Sequence, residues 1–194
     1  MEVGVTLHEI SSIQTKSDLE YQKKAMAHFH FLIDVSLSNQ HFKQHATFSR
    51  LMDQIDHLAE LNQHTLDIDL MGCTFFARDI LQTIIPISTD ELKKLLHDEI
   101  DFHAGTSILD AIGKTVSLLE ESNLEAEMEK HLLIFSDFEE NSSSFYTVEM
   151  IGELIAKYRQ KKNWEFYAFG LKLSHESLFQ KMNFNSKNLI FLDS

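Results

Sequence analysis

The chain has 194 residues, of which 43% are hydrophobic and 24% charged, with a formal net charge of -13. That balance excludes a disordered chain and suits a full-sized globular core. The acidic surface repels phosphate backbones, so nucleic acid is excluded as a natural partner, while metal ions and basic groups are favoured.

Residues 1–20 are weakly patterned and are expected to be a lead-in, in part disordered, to one domain over 21–194. They lack a basic start followed by an apolar core, so no signal peptide is expected. The run HFHFLID (28–34) is apolar, aromatic and ends on an acid, which predicts a buried strand. Its His28 and His30 share one strand face and are expected in the core or at an edge. Over 40–63, Phe42, Ala46, Phe48, Leu51, Met52, Ile55, Leu58, Ala59 and Leu61 recur at steps of three and four, the pattern of an amphipathic helix. His41 and His45 lie four apart there, and a solvated face is expected of them because the glutamate of a zinc-protease motif is missing.

Residues 65–76 predict a second strand, with Cys73 as a buried small apolar residue. A lone cysteine offers no internal disulfide, which points to a reducing cytoplasm. ILQTIIPI (80–87) predicts a short antiparallel neighbour turning near Ala77–Asp79, placed at an edge by Pro86. Ser88 and Glu91 have the spacing of a capping box for a helix ending near Asp98.

The loop DFHAGTS leads to a helix from Ser107 carrying Ile108, Ile112, Val116 and Leu119. HLLIFSD (131–137) is a further strand ending on an acid. A helix over about 145–161 follows, with Lys157, Arg159, Lys161 and Lys162 at its favourable C-terminal end. The strand WEFYAFG (164–170), a short helix HESLFQKM and a last strand NLIFLD complete the chain. No stretch approaches the roughly 20 apolar residues that span a bilayer. Alternating strands and helices predict an α/β class, doubly wound, as a three-layer α/β/α sandwich. Its sheet is mostly parallel with one short antiparallel edge strand.

In such sheets, ligands bind at the carboxyl ends of the strands where the strand order reverses. Asp34 and Asp137 would both lie there. Directly after the first comes Asp34-Val35-Ser36-Leu37-Ser38, and between the two acids lies Gly105-Thr106-Ser107 before a helix. Two carboxylates and three hydroxyls, without thiolate or imidazole, suit a hard cation such as Mg²⁺ or Mn²⁺. Neutral hydroxyl donors leave such an ion electrophilic toward an outside carboxylate.

These residues resemble the metal-ion-dependent adhesion motif (MIDAS) of the von Willebrand factor A (vWA) family. The resemblance runs over about residues 28–192, and the segment after Trp164 looks like the cytoplasmic prokaryotic branch that includes tellurium-resistance-associated proteins. It implies direct metal binding by Ser36 and Ser38, with Thr106 binding directly or through water. Asp34 and Asp137 would act mostly through water. It also implies a partner protein that completes the metal shell with an acidic side chain; no general base or nucleophile stands beside the five residues in the sequence, so no catalysis is expected.

Two departures stand out. Ala104-Gly105 replaces a frequent glycine pair, and Phe138 stands where glycine commonly follows the aspartate. Phe138 is expected to narrow the site or offer an apolar contact to a partner, with Glu139 beside it. Glu139 and Glu140 are otherwise expected to form a solvated acidic turn. The alternative function is a metal-dependent hydrolase or phosphotransferase with Asp34 as the acceptor. Against it, Ser36 stands where the second aspartate of a haloacid-dehalogenase-type site would be.

Overall fold

A computed structural model describes residues 26–39, 46–64, 67–98, 100–122, 124, 128–161 and 163–191. The expected lead-in, His41 and His45 lie outside these residues. Within them the elements are β1 (Met26–Asp34), α1 (Ala46–His64), β2 (Asp67–Phe76), β3 (Ile80–Ile87), α2 (Thr89–His97), α3 (Ile108–Glu121), β4 (Glu129–Phe135), α4 (Val148–Gln160), β5 (Trp164–Leu171), α5 (Glu176–Lys181) and β6 (Leu189–Phe191).

The six strands form one sheet in the order β3-β2-β1-β4-β5-β6. All neighbours are parallel except β2 and β3, and β3 is the antiparallel edge. The first described strand, β1, lies in the middle of the sheet. From β1 the chain winds first toward β2 and β3, then returns to the other side of β1 for β4, β5 and β6. The order therefore reverses between β1 and β4, and it is at such a reversal that sheets of this kind form a crevice at their carboxyl ends.

Alternation along each strand divides the apolar residues between two faces. On one face Phe29, Phe31 and Ile33 of β1 pack with Leu51, Ile55 and Leu58 of α1 and with Leu92 and Leu96 of α2. On the other, Leu32 joins Ile112 and Val116 of α3 and Ile151 and Ile155 of α4. The aromatic residues of β5 split the same way, with Trp164 and Phe166 on the second face and Tyr167 and Phe169 on the first. His28 and His30 are both fully buried, and the His30 Nε2 lies 2.8 Å from the Thr74 hydroxyl on β2. Burial holds the His30 imidazole well below its ordinary pKa, so it is neutral.

Local chemistry explains the helix ends. Ser88 accepts from the Glu91 backbone N–H while the Glu91 carboxylate accepts from the Ser88 N–H, which completes the capping box at α2. The helix expected from about 145 begins instead at Val148, capped by Thr147. The residues before it, Ser144, Phe145 and Tyr146, donate their N–H groups to the Asp110 carboxylate. The β4 strand ends at Phe135, two residues short of Asp137. At the opposite, amino edge, Glu120 accepts from Lys130, Lys161 and the Trp164 indole, so one acid secures α3, β4, β5 and the end of α4. No helix of the described residues is long and apolar enough to cross a membrane.

Cys73 is buried on β2, and desolvation raises its thiol pKa to about 12. In native buffer at pH 8 it should react with a disulfide reagent on the order of a hundredfold more slowly than in urea. Equal labelling rates in the two conditions would contradict its position in the core.

Candidate cation site at the switch point

Asp34 is the last residue of β1 and is fully buried. Its Oδ1 accepts from the Ser36 backbone N–H at 2.8 Å, and its Oδ2 accepts from the Ser136 hydroxyl at 2.5 Å. The second bond crosses the crevice from β1 to the segment that follows β4. Ser136 in turn accepts from the Phe138 N–H at 2.9 Å. Burial raises the Asp34 pKa from 3.8 to about 6; the bonds from Ser136 and Ser36 oppose the rise and the neighbouring Asp137 charge adds to it.

After Asp34 the backbone folds back on itself. Ser36 is buried and its hydroxyl lies 2.9 Å from that of Ser38, which is exposed. A parallel bridge pairs Ser36 with His103, and the Leu37 N–H donates to the His103 carbonyl at 2.8 Å. The loop bearing Thr106 is thereby attached to the D-x-S-x-S turn. The Ser107 hydroxyl, donating to the carbonyls of Ala77 and Arg78, attaches it to the β2–β3 turn as well. Gly105 has φ 85°, and a Cβ there would meet the Ser142 hydroxyl at 2.7 Å, so both backbone and space require glycine.

Thr106 is buried, yet its hydroxyl is without a hydrogen-bond partner among the described residues. A buried orphan hydroxyl costs about 1–3 kcal/mol unless something binds it. Asp137 is half-buried, and its Oδ1 accepts from the Glu139 N–H. Asp34, Ser36 and Ser38, then Thr106, then Asp137 thus stand on three segments that hydrogen bonds tie to one another at the carboxyl edge of the sheet. Among the described residues no trio of His, Cys, Asp or Glu could hold a metal. The donors present are hydroxyls with two carboxylates, a set that fits a hard cation and not a zinc-finger-type site.

The two residues expected to meet a partner differ. Glu139 is exposed and pairs with Lys172 at 2.7 Å. Phe138 does not face outward. Its backbone has φ 57°, its ring packs edge-on against Phe179 at 4.8 Å, and it is 4% exposed. The expectation of an outward apolar contact by Phe138 is therefore corrected: with this left-handed backbone the ring lies in the core against α5.

Glu140 is also corrected, because it is no free solvated acid. Its carboxylate accepts from the N–H groups of Ser142, Ser143 and Leu109 and from the Ser143 hydroxyl. Leu109 lies in the first turn of α3, so Glu140 caps that helix from a distant loop. Asp110 does the converse, reaching from α3 to three N–H groups of the same loop. Sequence reasoning passed over Ser136, Asp110 and Asn141. Only the serine-rich run 142–144 hinted that this loop has its own hydrogen bonding.

No protein-family model and no curated protein matches the chain. Solved structures do. One is proximal thread matrix protein 1 from the mussel byssus, 14% identical over 88% of this chain and 44% of that one, TM-score 0.60. The SpRpn10 VWA domain is 14% identical over 86% of this chain and 88% of that one, TM-score 0.56. The manganese-loaded TRAP protein of Plasmodium vivax is 16% identical over 88% and 69%, TM-score 0.61. The mussel protein has also been solved with zinc in its MIDAS motif, and there the chain spans 41% of its length. Less than half of the mussel protein is therefore covered. At these identities the likeness concerns the fold, and the fold is that of a vWA domain.

The raised Asp34 pKa has a definite sign. The protonated form is favoured in the fold, so its contribution is complete below the unfolded value near 3.8 and is lost as pH rises through about 6. The loss amounts to about 3 kcal/mol. In chelator, urea unfolding of the wild type should weaken by that amount between pH 3 and pH 7.5 relative to Asp34→Asn. Parallel curves for the two proteins would refute this account of Asp34.

Proposed function

We propose that the chain is a divalent-cation-dependent protein-binding module. Asp34, Ser36, Ser38, Thr106 and Asp137 hold Mg²⁺ or Mn²⁺, and an acidic side chain of a partner completes the shell. The observation that carries this reading is the Thr106 hydroxyl, which is buried without a partner among the described residues, on a loop bonded both to the D-x-S-x-S turn and to the loop that bears Asp137. A bound cation supplies positive charge there, which satisfies that oxygen and favours the ionised form of Asp34. Metal in two structural neighbours, manganese in one and zinc in the MIDAS motif of the other, supports the choice of a divalent ion.

Exposed apolar side chains support a protein as the ligand. Leu37, between the two serines, is 48% exposed, and Leu173, following β5, is 72% exposed. Both stand in loops at the carboxyl edge of the sheet. The strands β1 and β5 flank β4, so these loops leave the sheet about 10 Å apart. An acidic residue flanked by apolar ones would match this edge. Among the described residues, none of the hydrogen bonds around Asp34, Ser36, Thr106 and Asp137 pairs a nucleophile with a general base, which favours binding over hydrolysis or phosphotransfer. We place the module in the cytoplasm on the strength of its single buried thiol.

Calorimetric titration with Mg²⁺ and Mn²⁺ tests the site. Wild type should bind, and Thr106→Val and the double variant Asp34→Ala with Ser36→Ala should lose at least about tenfold in affinity. Unchanged affinity in the double variant would sink the site. Turnover of a generic phosphoester that depends on Asp34 would replace the binding reading with an enzymatic one.

A further inference from the structure

Thr106 lies on neither strand that frames the crevice, so something else must aim its hydroxyl. Both of its backbone groups are engaged by one neighbour. The Thr106 N–H donates to the Asn141 side-chain Oδ1 at 2.9 Å, and the Thr106 carbonyl accepts from the Asn141 N–H at 3.0 Å. The Ser142 N–H reaches the same carbonyl at 3.1 Å, and the Ser142 hydroxyl donates to Asn141 Oδ1 at 2.6 Å. Asn141 stands four residues beyond Asp137 in the loop after β4. One asparagine therefore clasps the Thr106 loop to the loop that bears Asp137. The backbone of Thr106 is thus held at both its N–H and its carbonyl, while its buried hydroxyl has no partner among the described residues.

The clasp is itself anchored. Glu140, next in the chain to Asn141, binds the first turn of α3 and two N–H groups of its own loop. Asn141 is exposed, so its side chain contributes little to the core. Its reciprocal bonds to Thr106 have no role in building the sheet. We infer that Asn141 is a positioning residue for the cation site, fixing the Thr106 hydroxyl relative to Asp137 without touching the ion. The inference rests on the proposed function and adds a residue to it.

The test uses Mn²⁺ as the probe and the full chain. Groups that orient metal ligands are worth about 10–100-fold in metal affinity. Asn141→Ala should therefore weaken Mn²⁺ binding by about tenfold, with the unfolding midpoint in chelator close to wild type. Asn141→Asp keeps an acceptor oxygen at the same place and should restore binding to within about threefold of wild type. Because Asn141 acts through Thr106, adding Asn141→Ala to Thr106→Val should cost nothing further, the non-additivity expected of coupled residues.

Wild-type affinity in a folded Asn141→Ala protein would overturn the role of Asn141 while leaving the site intact. Additive losses in the double variant would also overturn it. If Asn141→Ala does not fold, failure of a folded Asn141→Asp protein to bind Mn²⁺ near wild-type strength serves as the overturning result. No Mn²⁺ binding by wild type would instead overturn the functional reading, and the inference with it.

Discussion

The hydrogen bond from the Ser136 hydroxyl to the Asp34 carboxylate spans the one place where the sheet reverses its order. At 2.5 Å it is a short, charge-assisted contact, and it joins the end of the central strand to the segment after its neighbour. The architecture of the crevice follows from it. Asp34 is held inside the protein, where a carboxylate is costly, and its two oxygens are oriented by Ser36 and Ser136. The D-x-S-x-S turn then folds over one side of the acid and the β4 loop over the other. A sheet whose order did not reverse here would have covered this position with a crossover helix.

A second feature is the use of carboxylates to give shape to a loop. Residues 136–147 contain no helix or strand, yet their N–H groups are largely accounted for. Asp110 takes three, Glu140 takes three including one from α3, and Asp34, through Ser136, orders the start. Buried or half-buried backbone donors need acceptors, and here side chains supply what a sheet would otherwise provide. The high acid content of the chain is thus partly structural. Acids that a composition count assigns to the surface are engaged with backbone.

Much of the architecture was legible because periodicity reports which face is buried. The run from His28 to Asp34, the step pattern of α1 and the Ser88–Glu91 spacing each translated directly into an element. The antiparallel edge was readable from a short isoleucine-rich run with a proline in it. The order of the five proposed ligand residues was readable too, since strand ends are visible in sequence. The clasp at Asn141, the reach of Glu140 and the inward turn of Phe138 were not. Each depends on a residue meeting another some thirty or more positions away, and a polar loop has no period to reveal that. Phe138 misled because an aromatic in a loop reads as exposed until its left-handed backbone is known.

Phe138 also bears on how the crevice can move. Its ring is wedged against Phe179 of α5, and its own N–H completes the Ser136–Asp34 relay. The loop is in effect cleated to the hull of the protein. Raising Asp137 outward would drag a benzyl group from the core, a cost of about 1.5–3 kcal/mol. Glycine at that position would relieve the backbone and let the loop ride freely. With phenylalanine there, a shift of Asp137 would oblige the Phe138 ring to repack against Phe179 of α5.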